Sequence, residues 1–300
     1  MNNLYLVITC LSIGLFLQRI QRFPKDASVS LNAYVIYVAL PAVILVEIPK
    51  LTLNMQALIP VIAAWVVMAA SALLVFVVAR AMRWSIAVTG SLMLTVTLGN
   101  TSFVGFPLLE AYLGSEAIVH AILYDQFGTF IALNTFGVIA ASYYSRDHNE
   151  APTLGSIIKA IATFPPFIAL IAAMILRWVN YPEVVSSVLS RIAETLVPVV
   201  MVAVGLQWRF KLDTADLWPL AFGLLACLVF APLVALGLMA LLNVEGLLKQ
   251  TIVLEAAMPA MISAGALAIS HNLAPRLTAA MVGYGIAFGL VSVWLWSLFI

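Results

Sequence analysis

The sequence predicts an all-α integral membrane protein with ten transmembrane helices arranged as two inverted five-helix repeats. Three observations carry this expectation: an extreme apolar composition, ten apolar stretches divided by polar punctuation, and helix-breaking residues at matched places in the two halves. Of 300 residues, 64% are hydrophobic and 9% charged, with a mean hydropathy of +1.11. An ordinary soluble domain carries roughly 25% charged and about half apolar residues. A water-soluble fold has no means of hiding this much apolar surface, so the apolar solvent is lipid. The net charge of +1 comes from Lys and Arg scattered singly between apolar runs, which gives no basic stripe for nucleic acid. Cys10 and Cys227 lie in apolar stretches and supply neither a disulfide framework nor a metal-ligand spacing.

A membrane helix needs about 20 apolar residues with every backbone group bonded internally. The candidate spans are 3–18, 28–47, 57–79, 85–109, 117–143, 157–178, 183–207, 217–242, 247–270 and 276–300. The first is short. It is read as a retained helix rather than a signal peptide, because Arg19, Arg22 and Lys25 follow the apolar run instead of preceding it. Basic residues in short loops set the orientation. With the N-terminus outside, the inner loops hold Arg19, Arg22, Lys25, Arg80, Arg83, Arg146, Lys159, Arg209, Lys211 and Arg276. The outer side holds Lys50, Arg177, Lys249 and Arg191. Both termini are therefore expected outside, in a multi-pass protein of the cell inner (plasma) membrane.

A polar loop at the middle of an even count suggests five spans plus five, as residues 1–144 and 156–300 around a cytoplasmic linker at 145–155. Five is odd, so homologous halves would be inverted, an arrangement common in secondary transporters. Pro41 and Pro198 are 157 residues apart, as are Gly128 and Gly285. The same shift carries 98–107 onto 255–264, and both segments contain helix breakers.

The fourth span reads Leu98-Gly99-Asn100-Thr101-Ser102-Phe103-Val104-Gly105-Phe106-Pro107, and the ninth contains Glu255-Ala256-Ala257-Met258-Pro259. A proline cannot donate to the carbonyl four residues back and clashes with it. Pro259 therefore frees the carbonyl of Glu255, and Pro107 that of Phe103. Such breaks persist in a membrane only inside protein or beside a wet cavity, and matched breaks in two halves point to a binding site. Two kinks packed by their neighbours are the plainer alternative. Intramembrane carboxylates usually mark a pathway. Asp125 stands in the fifth span beside Tyr124 and Gln126, and Glu255 stands at the ninth-span break. Glu47, Glu110 and Glu116, near outer span ends, are expected to be solvated, and Glu194 to pair with Arg191 at helical spacing. His120 is read as structural, and Gly285–Gly289 as small-residue packing.

The run GNTSFVGFPLL resembles the signature of the auxin efflux carrier family, whose bacterial members include malonate-type and other organic-acid carriers. EAAMPAMISAGALA is similar to that family's ninth span, and the pattern of spans extends the resemblance over the whole chain. The family lies in a wider superfamily with the bile-acid, arsenite and riboflavin transporters. The resemblance implies a scaffold of spans 1, 2, 6 and 7, a moving bundle of spans 3–5 and 8–10, crossing of spans 4 and 9 at their breaks, and a homodimer. The central loop is short, unlike that of the plant hormone carriers, which argues against auxin itself. Glu255-Ala-Ala-Met258 is also similar to a sodium-binding stretch of the bile-acid symporters.

Two functions remain open. The first is alternating-access carriage of a small organic anion such as a mono- or dicarboxylate or an auxin-like weak acid. Gly99, Asn100, Thr101, Ser102, Met258 and Pro259 are then the substrate-site candidates, with Gly105, Pro107 and Pro259 breaking the helices. The second is a sodium or proton exchanger, or a sodium-coupled symporter, using Asp125 and Glu255. The coupling ion would be a proton, or sodium held at Glu255 and Asn100. An enzyme is not expected, because three scattered His and two Cys offer no nucleophile–base pair.

Overall fold

The structure, a computed structural model, describes residues 2–51, 54–145, 153–179, 181–208 and 217–300. Most of the expected linker, with Arg146, and also Arg209 and Lys211 of the charge count, lie outside the described residues. The chain is helical throughout, and among the described residues the only β pairing is one isolated bridge.

The order begins with α1 (Asn2–Leu17), α2 (Ala27–Lys50), α3 (Met55–Ala81) and α4 (Ile86–Thr97). After a break and a π-wound turn at Thr101–Gly105 come α5 (Phe106–Leu113) and α6 (Ser115–Tyr144). The second half holds α7 (Leu154–Ala162), α8 (Pro165–Leu176), α9 (Glu183–Gln207) and α10 (Leu217–Leu241). It closes with α11 (Gly246–Ala256), α12 (Ile262–Ser270) and α13 (Pro275–Phe299). Among the described residues, six helices are long and apolar enough to cross a membrane, and seven if α7 and α8 form one span.

Several departures from the sequence expectation have local causes. The sixth span is not one straight helix: α7 and α8 meet at 64°. Pro165-Pro166 opens α8, and the residue before a proline is driven out of helical geometry, here Phe164 at φ −75°, ψ 119°. Pro107 does not break its helix. It is the second residue of α5, directly after the π turn Thr101–Gly105. Pro41 and Pro232 stand in the same relation to π turns at Val35–Ala39 and Ala226–Phe230. Inserting a residue into the winding moves the upstream carbonyls off the proline ring, so the helix continues. Glu47 is buried rather than solvated and bonds Lys50 at 2.7 Å. Arg191 and Glu194 form no ion pair, because α9 loosens into a turn at Glu194–Thr195.

Packing divides the helices into two groups. In one, α1 lies against the C-terminal half of α9, while α2 packs on α8 and α9. Tyr34 and Thr195 join their hydroxyls at 2.9 Å across this group. In the other, α3, α6, α10 and α13 surround the two interrupted helices, α4–α5 and α11–α12. The α1–α9 contact is backbone to backbone. A Cβ at Gly14 would stand 2.3 Å from the Val202 carbonyl, and one at Gly205 would stand 2.4 Å from that of Leu11.

The ends of α3 and α10 are closed alike. Trp84 N–H bonds the Ala79 carbonyl at 3.0 Å, and Val244 N–H that of Met239 at 2.9 Å. Each turn passes through a left-handed residue, Arg83 (φ 53°) or Asn243 (φ 52°), 160 residues apart. This is the Schellman closure of a helix end. Gly114 (φ 89°) and Ala274 (φ 41°) repeat the 160-residue spacing at the starts of α6 and α13.

The glycine contact gives a direct test. Gly14→Val and Gly205→Val should each cost about 1–3 kcal/mol by forcing the helices apart. Thermal unfolding of purified protein in detergent should show both variants melting earlier than the parent. Gly237→Val, where an added Cβ meets nothing within 4 Å, should leave the melt unchanged.

Candidate functional site

The two interrupted helices meet at their interruptions. Helix α4 ends at Thr97, and the backbone is extended at Leu98 (φ −111°, ψ 100°) before winding resumes at Thr101. Helix α11 ends at Ala256, and the chain is again extended at Met261 (φ −66°, ψ 129°). Between the breaks, Asn100 N–H donates to the Pro259 carbonyl and Met261 N–H to the Leu98 carbonyl, both at 2.8 Å. These bonds flank an antiparallel bridge between Gly99 and Ala260. Each break thus supplies backbone partners that the other lost, which water cannot do in a membrane.

The remaining backbone groups are handled locally. The Asn100 carbonyl accepts Val104 N–H at 3.3 Å and Gly105 N–H at 3.0 Å, closing the π turn. The Glu255 carbonyl, expected to be freed by Pro259, accepts Met258 N–H at 3.2 Å. A one-turn tightening of the helix end replaces the missing bond. Pro259 itself rests on α13, where a Cβ at Gly289 would stand 3.1 Å from the proline Cδ and one at Gly285 3.3 Å from its Cβ. The Gly285–Gly289 pair is therefore the seat of the ninth-span proline.

Beside the crossing lies a polar cluster. Asp125 begins a π turn in α6 and is 1% exposed. Its Oδ1 accepts Thr101 Oγ1–H at 2.5 Å and Ser102 Oγ–H at 2.6 Å, and its Oδ2 accepts Gln126 Nε2–H at 2.6 Å. The two hydroxyls expected to donate to a substrate thus give their hydrogens to Asp125. Glu255, in the last turn of α11, differs in kind. It too is 1% exposed, yet neither of its carboxylate oxygens has a hydrogen-bond partner. Gln126 Oε1 and Asn100 Nδ2 are likewise buried and unpartnered. The Glu255 carboxylate lies against Gly105, where a Cβ would come within 2.7 Å of Oε2. Gly105 is thus a seat for a side chain from the other half of the molecule. A small cavity of about 20 Å³, room for a water, is lined by Thr97, Gly99, Thr101, Tyr124, Glu255 and Met258.

The sequence-derived residues thus fall together around one point, but with changed parts. Gly99 and Pro259 belong to the backbone crossing, Met258 to the cavity wall, and Pro107 to the helix beyond. Gln126 had no assigned part. Adjacent residues on a regular helix do not face one another, and the π turn that puts Gln126 on Asp125 leaves no composition signal. His120 has an unpartnered, buried Nδ1 but stands a turn and a half from Asp125 on α6. No described basic side chain pairs with either carboxylate. No cluster of three His, Cys, Asp or Glu suited to a metal ion occurs among the described residues.

A family model described as membrane transport protein matches residues 1–297. The chain belongs to that family. It is the auxin efflux carrier family that the fourth-span motif resembles. The transporter is 28% identical over 298 residues to an uncharacterized transporter of Methanothermobacter thermautotrophicus, covering 97% of this chain and 95% of the relative. It is 26% identical over 307 residues to an uncharacterized transporter of Methanocaldococcus jannaschii, covering 99% and 97%. The whole molecule is therefore a membrane transporter in kind.

The bridge between the breaks is open to cross-linking. In the transporter, the bonds run between the neighbours of Gly99 and Ala260, so these two form the close type of antiparallel pair, with Cα atoms about 4.5 Å apart. Gly99→Cys with Ala260→Cys, in a chain with Cys10 and Cys227 replaced by alanine, should oxidise to a disulfide. Peptide mass mapping without reductant should recover the linked pair. Its absence under oxidant would separate the two breaks.

Proposed function

We propose that this transporter carries a small organic anion, a mono- or dicarboxylate, by alternating access, with its substrate site at the crossing of the interrupted helices. The observation that carries this reading is the crossing itself, together with the buried, unpartnered amide of Asn100 beside it. Half-helices that restart at a break present free N–H groups and the positive end of a dipole, which suits a carboxylate. Asn100 Nδ2 adds a donor without a competing protein partner. Thr101 and Ser102 act one step back, tying the restart of the fourth span to Asp125.

The ten-span, inverted-repeat architecture belongs to the same proposal. The 160-residue spacing of left-handed turns supports it, and so does the pair of bonds at the crossing, which is two-fold symmetric about the bridge. In it, α1, α2, α7–α8 and α9 form the scaffold and the other helices the moving bundle. A homodimer in the plasma membrane with both termini outside completes the proposal.

A specific observation favours a coupled form of this function. Two buried carboxylates beside an anion site repel the substrate unless a positive charge joins them. Asp125 is compensated by three donors, whereas Glu255 has none. Glu255, with two bare carboxylate oxygens, offers oxygen ligands of the kind that fit sodium. Bound there, a cation supplies charge neutralisation; a proton on Glu255 does the same. Glu255 is thus the coupling residue, and Asp125 positions Thr101 and Ser102. An exchanger that moves only cations is the competing function.

A screen of mono- and dicarboxylates on purified protein, with and without sodium at two pH values, tests the substrate class. Ligand-dependent stabilisation is expected for a carboxylate, and cation effects without any solute would favour the exchanger. Asn100→Ala should weaken anion binding about ten- to a hundredfold, the scale of one hydrogen bond to a charge, while eluting as folded protein. In proteoliposomes, Glu255→Gln should lose uptake driven by an imposed sodium or proton gradient yet retain solute binding. Full gradient-driven uptake by that variant would remove Glu255 from coupling.

A further inference from the structure

At the far end of α3 from Met55, the structure forms an open groove of about 650 Å³ that the transport reading does not use. Its walls include Phe76, Arg80, Arg83, Trp84, Tyr143 and Tyr144. Two long apolar helices, α3 and α6, end here, and α4 begins, so the groove lies where the apolar segments give way to polar chain. Leu73, Phe76 and Val77 recur at helical spacing on α3 and are 63%, 43% and 53% exposed. Arg80 continues that same face one turn on, with its guanidinium 5.1 Å over the Phe76 ring. An exposed apolar track therefore leads directly into a guanidinium.

Neither arginine forms an ion pair among the described residues. Nor does the turn require them. The end of α10 makes the same turn with the same bonds, using Ala240 where α3 has Arg80 and Asn243 where it has Arg83. Asparagine tolerates the left-handed conformation better than arginine does, so Arg83 at φ 53° serves something other than the turn. The aromatic wall is also built in. Gly90 of α4 admits Tyr144, whose Cβ would be 2.6 Å from any Cβ at that position, and Tyr143 meets Tyr144 edge-on at 5.0 Å. Trp84 is held edge-on to Phe222 of α10 at 5.3 Å.

We infer that this groove binds one anionic phospholipid, its phosphate between Arg80 and Arg83 and an acyl chain along Leu73, Phe76 and Val77. Basic pockets between helix ends at a membrane surface suit anionic headgroups, and Trp and Tyr suit the interface. A soluble anion would use the guanidinium end alone, whereas a phospholipid also engages the exposed apolar track that adjoins it. The inference is independent of which solute the transporter carries.

Native mass spectrometry of the full-length protein in detergent tests it, with phosphatidylglycerol, phosphatidylcholine or inorganic phosphate added. The parent should retain a phosphatidylglycerol adduct with at least about fivefold preference over phosphatidylcholine, the scale of one basic residue on an anionic surface. Arg83→Asn, which installs the residue that the α10 turn already uses, should lower that preference about fivefold with a thermal transition no lower than the parent's. Arg80→Gln, which leaves the strained backbone untouched, should act in the same direction. Equal retention of both lipids by the parent, or an unchanged preference in both variants, overturns the inference. Displacement of the lipid by low-millimolar inorganic phosphate also overturns it, in favour of a soluble anion.

Discussion

Two backbone hydrogen bonds, Asn100 N–H to the Pro259 carbonyl and Met261 N–H to the Leu98 carbonyl, make the centre of this molecule possible. Interrupting a helix in hydrocarbon strands polar groups at several kcal/mol each. A single interrupted helix would have to bury that cost in side chains or water. Two interrupted helices, crossed so that each break faces the other, cancel much of it with hydrogen bonds between their peptide groups. The breaks are therefore mutually dependent. Around them the chain needs little more than small residues, which is why Gly285 and Gly289 sit under Pro259 and Gly105 lies under Glu255.

This arrangement gives the two buried carboxylates opposite surroundings. Asp125 is saturated: three side-chain donors surround it, two of them from the residues that restart the fourth span. It behaves as a fixed anchor between α6 and the crossing. Glu255 reaches from the other half of the chain onto the same segment, yet its oxygens are left bare. A saturated group resists change, whereas a bare one responds to whatever charge arrives. In the coupled transport proposed above, the bare Glu255 is the group that an ion meets, and Asp125 is the group that holds the crossing in place.

The π turns have a common physical origin with the breaks. At Pro41, Pro107 and Pro232 the helix absorbs the proline by a widened turn that ends two residues earlier. At Pro259 it does not, and the chain opens instead. The difference lies in the neighbours. Pro259 has a backbone partner across the crossing and a glycine seat on α13, so an open chain costs little there. Pro107 has neither, and continuity of the helix is the cheaper solution.

The sequence by itself determined the solvent, the helical class and the approximate position of the six long apolar helices, because apolar composition and run length respond to hydrocarbon thickness. It also brought Asn100, Asp125, Glu255 and Pro259 forward, since polar groups and prolines are rare enough in such runs to stand out. What it did not determine was who bonds whom. The fourth-span break falls at Leu98–Asn100 rather than at Pro107, because a proline's effect depends on the packing room around it. Thr101 and Ser102 face Asp125, and Gln126 joins them, because a π turn rotates side chains away from the 3.6-residue period that sequence patterns assume. The seats at Gly105 and Gly289 arise from contacts between separate segments of the chain, with Glu255 and Pro259 respectively, and only the tertiary structure decided which of many small residues touches a carboxylate or a proline ring.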